Sequence, residues 1–230
     1  QSAYAQFALT DTSFHAKDVQ GTRTAAQRCL ALNPRDTDAQ AMIGIDYMFM
    51  DDWEQGLKCT QRALDLHGNG PGWYRFGLVM MALHEGRFED ALAELGQVHM
   101  PQYHIFHTFL TITLAGLGRV DESHAAWQDL LACWPGDMAA YRESFNRWHY
   151  AQPDYHGLVL SLFDKAGISL EDGSVRDTVS DNVTASIERN DFVGREAERK
   201  TLQGMLEAAQ AGRGSLVLIG GEPGVGKSRL

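Results

Sequence analysis

The chain has 230 residues, 44% of them hydrophobic and 22% charged, with a formal net charge of −10. That length buries a sizeable core in one or two domains, and no apolar run is long enough to span a bilayer, so no membrane contact is expected. Residues 1–170 hold 12 Lys and Arg against 20 Asp and Glu; this acidic balance repels a phosphate backbone and excludes nucleic acid as an expected partner of this piece.

The three cysteines, Cys29, Cys59 and Cys133, are far apart and sit among apolar helical residues. They read as small buried side chains in a reducing cytosol rather than a disulfide frame or a metal site.

In chain order, residues 1–16 read as a partial helix of an earlier unit. The apolar period then predicts helices over 19–32, 37–50, 53–66, 72–85, 88–98, 102–117, 120–133, 137–150 and 154–166. Three turns repeat one phrase: D-D-W-E-Q-G from Asp51, G-R-F-E-D-A from Gly86 and G-R-V-D-E-S from Gly118, with starts 35 and 32 residues apart. Gly86 and Gly118 end a helix. Trp53, Phe88 and Val120 plug the gap between helices, and the small residue that follows each (Gly56, Ala91 or Ser123) lets two helices approach closely. Pro34 stops the helix before it, and Asp36 or Thr37 caps the next. The period and the small and large positions at Gly44, Tyr47, Gly56 and Ala63 resemble tetratricopeptide repeats over about residues 17–135. Val79 and Thr111 stand where that family prefers glycine. The last two predicted helices are expected to cap the stack with a polar outer face.

Such a solenoid presents a concave groove lined by its first helices, and a protein partner is expected there. Gln40, Arg75, His104 and His107 are candidates to face it, and an apolar groove could receive a partner helix or an extended segment. The aromatic residues of the first helices, such as Phe49, Trp73, Phe76 and Phe109, read mainly as inter-helix packing. His99, His104 and His107 cluster by spacing, but no carboxylate or cysteine completes a metal site. Asp51, Asp52 and Glu54 read as an acidic inter-helix turn.

Residues 167–190 lose the helical period and turn rich in Ser, Thr, Asp and Gly, the composition of a linker. The second unit begins at Asp191. Ser215 to Gly220 reads as a short buried strand, and Gly221-Glu222-Pro223-Gly224-Val225-Gly226-Lys227-Ser228 fits the phosphate-binding P-loop spacing G-x-x-x-x-G-K-[ST]. The glycines let backbone N–H groups face inward onto phosphate oxygens. Lys227 supplies charge to the β- and γ-phosphates. Ser228 supplies a hydroxyl to a nucleotide-bound Mg²⁺ and begins a helix whose positive end faces the anion.

The run F-V-G-R-E from Phe192, a helix to about Ala211, and then this loop are similar to the opening of STAND/AAA-type signalling ATPases, as in bacterial cyclase-like and transcription-regulator multidomain proteins. The resemblance implies that Phe192, Val193, Gly194 and Arg195 lie by the adenine and ribose. In most relatives the helical repeats follow the ATPase; here they precede it. The same resemblance extends to G-W-Y-R-F from Gly72 and M-P-Q-Y-H from Met100.

The expected whole is therefore mainly α: a tetratricopeptide-type helical-hairpin solenoid over 1–166, a linker over 167–190, and the start of an α/β P-loop NTPase over 191–230. It reads as a piece of a longer cytoplasmic protein, a regulatory ATPase that binds ATP and Mg²⁺ when intact. The Mg²⁺-binding acid of a later strand lies past Leu230, so the piece alone is expected to turn over no ATP, with the strand 215–220 unpaired. The alternative reading is an interaction scaffold in which only the repeats matter.

Overall fold

The computed structural model describes residues 2–176 except residue 69. The P-loop, the strand before it and the segment around Arg195 lie outside the described residues.

Among the described residues the chain folds into four consecutive helical hairpins followed by two further helices. The hairpins pair α1 (Ala3–His15) with α2 (Val19–Leu32), α3 (Thr37–Phe49) with α4 (Trp53–His67), α5 (Phe76–His84, preceded by a 3-10 turn, Gly72–Arg75) with α6 (Phe88–Leu95), and α7 (His104–Gly116) with α8 (Val120–Cys133). Then come α9 (Met138–Trp148) and α10 (Pro153–Lys165).

Each hairpin turns on the same device. Lys17, Asp51, Gly86 and Gly118 have φ of 61°, 62°, 71° and 72°, the left-handed conformation that ends a helix in a Schellman motif. The next amide closes each motif, donating to the carbonyl five residues back: Asp18 to Ser13, Asp52 to Tyr47, Arg87 to Ala82, and Arg119 to Leu114. The residue after that is the apolar first residue of the second helix: Val19, Trp53, Phe88 or Val120. α1, capped by Ser2, is therefore the first helix of a hairpin with α2, not a partial helix of an earlier unit. The period reaches one unit further back than the glycines suggest because Lys17 stands where later copies have glycine.

Small residues set how close the two helices of a hairpin come. A Cβ on Gly44 would fall 2.9 Å from the Gly56 carbonyl oxygen, and one on Gly56 would fall 2.7 Å from that of Gly44 and would also strike the Met48 side chain. Twelve residues likewise separate Val79 from Ala91 and Thr111 from Ser123, and all four are fully buried. In the last hairpin the Ser123 hydroxyl donates to the Thr111 carbonyl at 2.9 Å. Val79 and Thr111 are tolerated because Ala91 and Ser123 remain small. Asp18, Asp36 and Asp52 cap their helices by accepting from Gly21, Ala39 and Gln55 amides. Arg87 and Arg119 replace that aspartate in the later copies; each instead pairs with a first-turn acid, Asp90 or Glu122, which also suits the helix dipole.

The last two helices do not stack on the end of the array. α9 starts on the α7–α8 hairpin, where Tyr141 packs 5.8 Å from Trp127 and its hydroxyl meets Thr108 Oγ1 at 2.9 Å. It ends on α1 and α3, with Trp148 5.4 Å from Phe14 and 5.5 Å from Phe49. Its eleven residues span about 16 Å, which matches two steps of roughly 8–10 Å between packed helices. α10 returns: Tyr155 lies against Trp53 and His84, and Lys165 reaches the Gly116 carbonyl at 2.8 Å. The pair covers the face made by the first helices. An apolar stripe fixes only that a helix is buried. α9 lies on the first-helix face, where Phe14 and Phe49 meet its Trp148.

The packed chain also runs past residue 166. Ile168 bridges Val175, and the buried Trp127 indole donates to the Gly173 carbonyl at 2.9 Å. The first ten residues expected in the linker are thus part of the helical unit and seal α8. Among the described residues, no helix is long and apolar enough to cross a membrane.

Candidate functional site

The P-loop residues Gly221 to Ser228 and the Val193 to Arg195 segment are fixed by sequence alone and lie outside the described residues. Within the described part, the candidate site is a cavity of about 360 Å³ between the first-helix face and α9.

Its floor is built by repetition. α3 contributes Met42, Ile45 and Phe49; the 3-10 turn and α5 contribute Trp73, Phe76 and Met80; α7 contributes Ile105, Phe109 and Ile112. These are helical positions three, four or seven apart, so each helix turns one apolar stripe to the same side. The roof is α9, through Tyr141, Ser144, Phe145 and Trp148. No Asp, Glu, Lys or Arg lines the cavity. The aromatic residues expected as packing thus have two roles: Phe49, Phe76 and Phe109 are in the core and also wall this space.

The polar groups at the cavity are neutral. His149 lines it, and its Nδ1 donates to the Phe145 carbonyl at 2.7 Å. Burial, ahead of every other influence, pushes its pKa down to about 4. Nε2 is therefore the bare, accepting nitrogen, and it has no hydrogen bond among the described residues. His104 is also held below its ordinary value by burial and stands edge-on to Trp134 at 4.8 Å.

The four groove candidates divide. His104 lines the cavity. Gln40 and His107 do not: both are buried, and each bonds the carbonyl of the proline six residues before it, Gln40 Nε2 to Pro34 at 3.2 Å and His107 Nε2 to Pro101 at 2.8 Å. They tie down the loop entering their helix in two equivalent repeats. Arg75 is engaged with Glu94 at 2.6 Å. Among the described residues no group of three His, Cys, Asp or Glu is placed to hold a metal. Asp52 in the acidic turn caps α4 and pairs with Arg23. Cys29, Cys59 and Cys133 are free thiols, and burial pushes Cys59 up to about 11.

Sequence reasoning missed Asp46. It is buried on α3, and desolvation first, with nearby Asp11 second, raises its carboxyl to about 8, so it is protonated at neutral pH. An aspartate within an apolar helical stripe was the available signal. The Tyr150 phenol is raised too, by burial first and then by Asp46 and Asp18.

Residues 191–230 match the family model of the AAA ATPase domain. No curated protein matches the chain. Over the helical part, it is similar to a solved structure of MamA from Desulfovibrio magneticus RS-1, at 14% identity and a TM-score of 0.49, covering 71% of this chain and 92% of that one. It is also similar to YrrB, described as a TPR protein with an unusual peptide-binding site, at 15% identity and a TM-score of 0.45, covering 72% of this chain and 84% of that one. Among the described residues the chain is a row of consecutive helical hairpins, and its residues 191–230 match the AAA ATPase domain.

Proposed function

We propose that this chain is part of a cytoplasmic signalling ATPase of the STAND/AAA type, in which the helical repeats engage a protein partner and the C-terminal module binds ATP with Mg²⁺. The observation that carries the reading is a complete P-loop spacing, Gly221 to Ser228, inside the AAA-matching segment. Backbone amides of the glycine-rich loop cradle the phosphates, Lys227 neutralises them, and Ser228 ligates Mg²⁺. Val193, Gly194 and Arg195 contact the nucleoside. Nucleotide state biases the module between conformations, and the repeats couple that bias to the partner.

The partner uses the first-helix groove, and α9 covers that face, so partner and α9 compete for it. The reading is tested by nucleotide titration of the full-length protein. Lys227→Ala removes ATP·Mg²⁺ binding, by two orders of magnitude or more in Kd; an unchanged Kd overturns the assignment.

A further inference from the structure

We infer that the cavity between the first-helix face and α9 is a binding site for a small neutral molecule, mostly apolar, with a ring system and one hydroxyl or N–H donor. Three observations carry this, and none involves nucleotide or a protein partner.

The first is size. A volume of about 360 Å³ lies within the range of small-molecule sites, roughly 300–1,000 Å³. At the packing density of protein interiors it admits on the order of ten to twenty non-hydrogen atoms. α9 crosses the groove without filling it.

The second is charge. Twenty-one residues line the space and none is Asp, Glu, Lys or Arg, although such residues make up 22% of the chain. A carboxylate or an ammonium ion entering here would lose its hydration with nothing to replace it. Both imidazoles at the wall are held neutral by burial, so they offer no counter-charge.

The third is a free acceptor set among apolar walls. The Phe145 carbonyl takes the Nδ1 proton of His149, which leaves Nε2 of a cavity-lining ring ready to accept a hydrogen bond; the unbonded Tyr155 hydroxyl belongs to the same lining. A large apolar pocket with a few placed polar groups is the ordinary make-up of a small-molecule site. Aromatic walls at Phe76, Phe109 and Phe145 suit a planar ring.

The test uses the 230-residue chain and 2-naphthol, followed by calorimetry and by methyl-detected NMR. Saturable binding at one site is expected, with Kd in the micromolar range. The anionic isostere 2-naphthoate should bind at least tenfold more weakly. Ser144→Phe on the roof and Ile105→Phe on the floor should each weaken 2-naphthol at least tenfold by filling the space, with circular dichroism checking the fold. His149→Ala should weaken 2-naphthol severalfold but leave naphthalene unchanged. Intermolecular NOEs should reach the Met42, Met80 and Ile112 methyls, a readout that does not depend on any variant folding. Absence of saturable binding to millimolar concentration, equal affinity for the naphthoate, or NOEs elsewhere on the chain would each overturn the proposal; the space would then belong to a partner's side chains or to a shift of α9.

Discussion

The eight helices of the hairpin array and the two helices that cross it are built by different means. In the array, most structural polar groups have a local partner (aspartate caps, Schellman turns, the Ser123 hydroxyl on Thr111), and four buried atoms without one, Gln6 Oε1, Thr60 Oγ1, His107 Nδ1 and Thr111 Oγ1, are spread over eight helices. In the crossing segment, Tyr150 OH, Gln152 Oε1, Tyr155 OH and His156 Nε2 are all buried without a hydrogen bond. Buried groups left unpaired cost about 1–3 kcal/mol each. The crossing pair is therefore held by aromatic burial against a polar deficit, whereas each hairpin is specified by its own turns. An element held that way gives up its position more readily than the surface beneath it, which suits a helix that shares its groove with a partner.

The largest expected effect breaks the join between the two regions. Trp127 is fully buried and meets Tyr141 of α9, Phe163 of α10 and the Gly173 carbonyl. Trp127→Ala should cost about 3–5 kcal/mol in urea unfolding. A loss below about 1 kcal/mol would mean that the crossing segment is not seated on α8.

Next comes pH, because each side of the seam holds one buried titrating group. His149 falls from 6.5 unfolded to about 4 folded, so between those values the unfolded state binds the extra proton and stability rises with pH. Asp46 rises from 3.8 to about 8, so over that wider window the folded state binds the extra proton and stability falls with pH. The two slopes oppose one another from pH 4 to 6.5, and only the fall remains from 6.5 to 8, amounting to about 2 kcal/mol. Unfolding free energy should thus be nearly level up to pH 6.5 and then decline. In Asp46→Asn the decline above 6.5 should vanish, while stability climbs from pH 4 to 6.5.

Smaller effects separate the hairpin turns from the crossing link. A Cβ on Gly86 meets nothing within 4 Å, so Gly86→Ala isolates the backbone term and should cost about 1–2 kcal/mol. Lys17→Gly, at the same place in the first hairpin, should stabilise by up to about 1 kcal/mol; equal responses at both positions would contradict the shared turn. Tyr155→Phe removes a hydroxyl that has no partner and should leave stability unchanged or raise it by about 1 kcal/mol. Tyr141→Phe removes one bonded to Thr108 and should lower it by a similar amount.

What the sequence discloses follows the same division. The second helices begin at Val19, Trp53, Phe88 and Val120, as their apolar first residues foretell, and Gly86 and Gly118 mark two turns outright. The first turn hides because Lys17 carries no glycine signal, although Val19 stands 34 residues before Trp53. Local chemistry could not reveal that Gln40 and His107 point inward, since their partners are carbonyls offered by the preceding loop. Nor could it place α9: its aromatic stripe is equally compatible with an end cap and with a groove. The P-loop spacing is the opposite case, a purely local pattern of four fixed positions, Gly221, Gly226, Lys227 and Ser228, because phosphate binding by backbone amides demands glycine where the chain must turn tightly.

The central structural claim is that the chain's own ninth helix lies over the first-helix face. Proton NOEs from the Trp148 indole test it most directly. The account predicts cross-peaks to the rings of Phe14 and Phe49, whose centroids lie 5.4 and 5.5 Å away. A Trp148 ring in contact with neither, and exchanging freely with water, would contradict it.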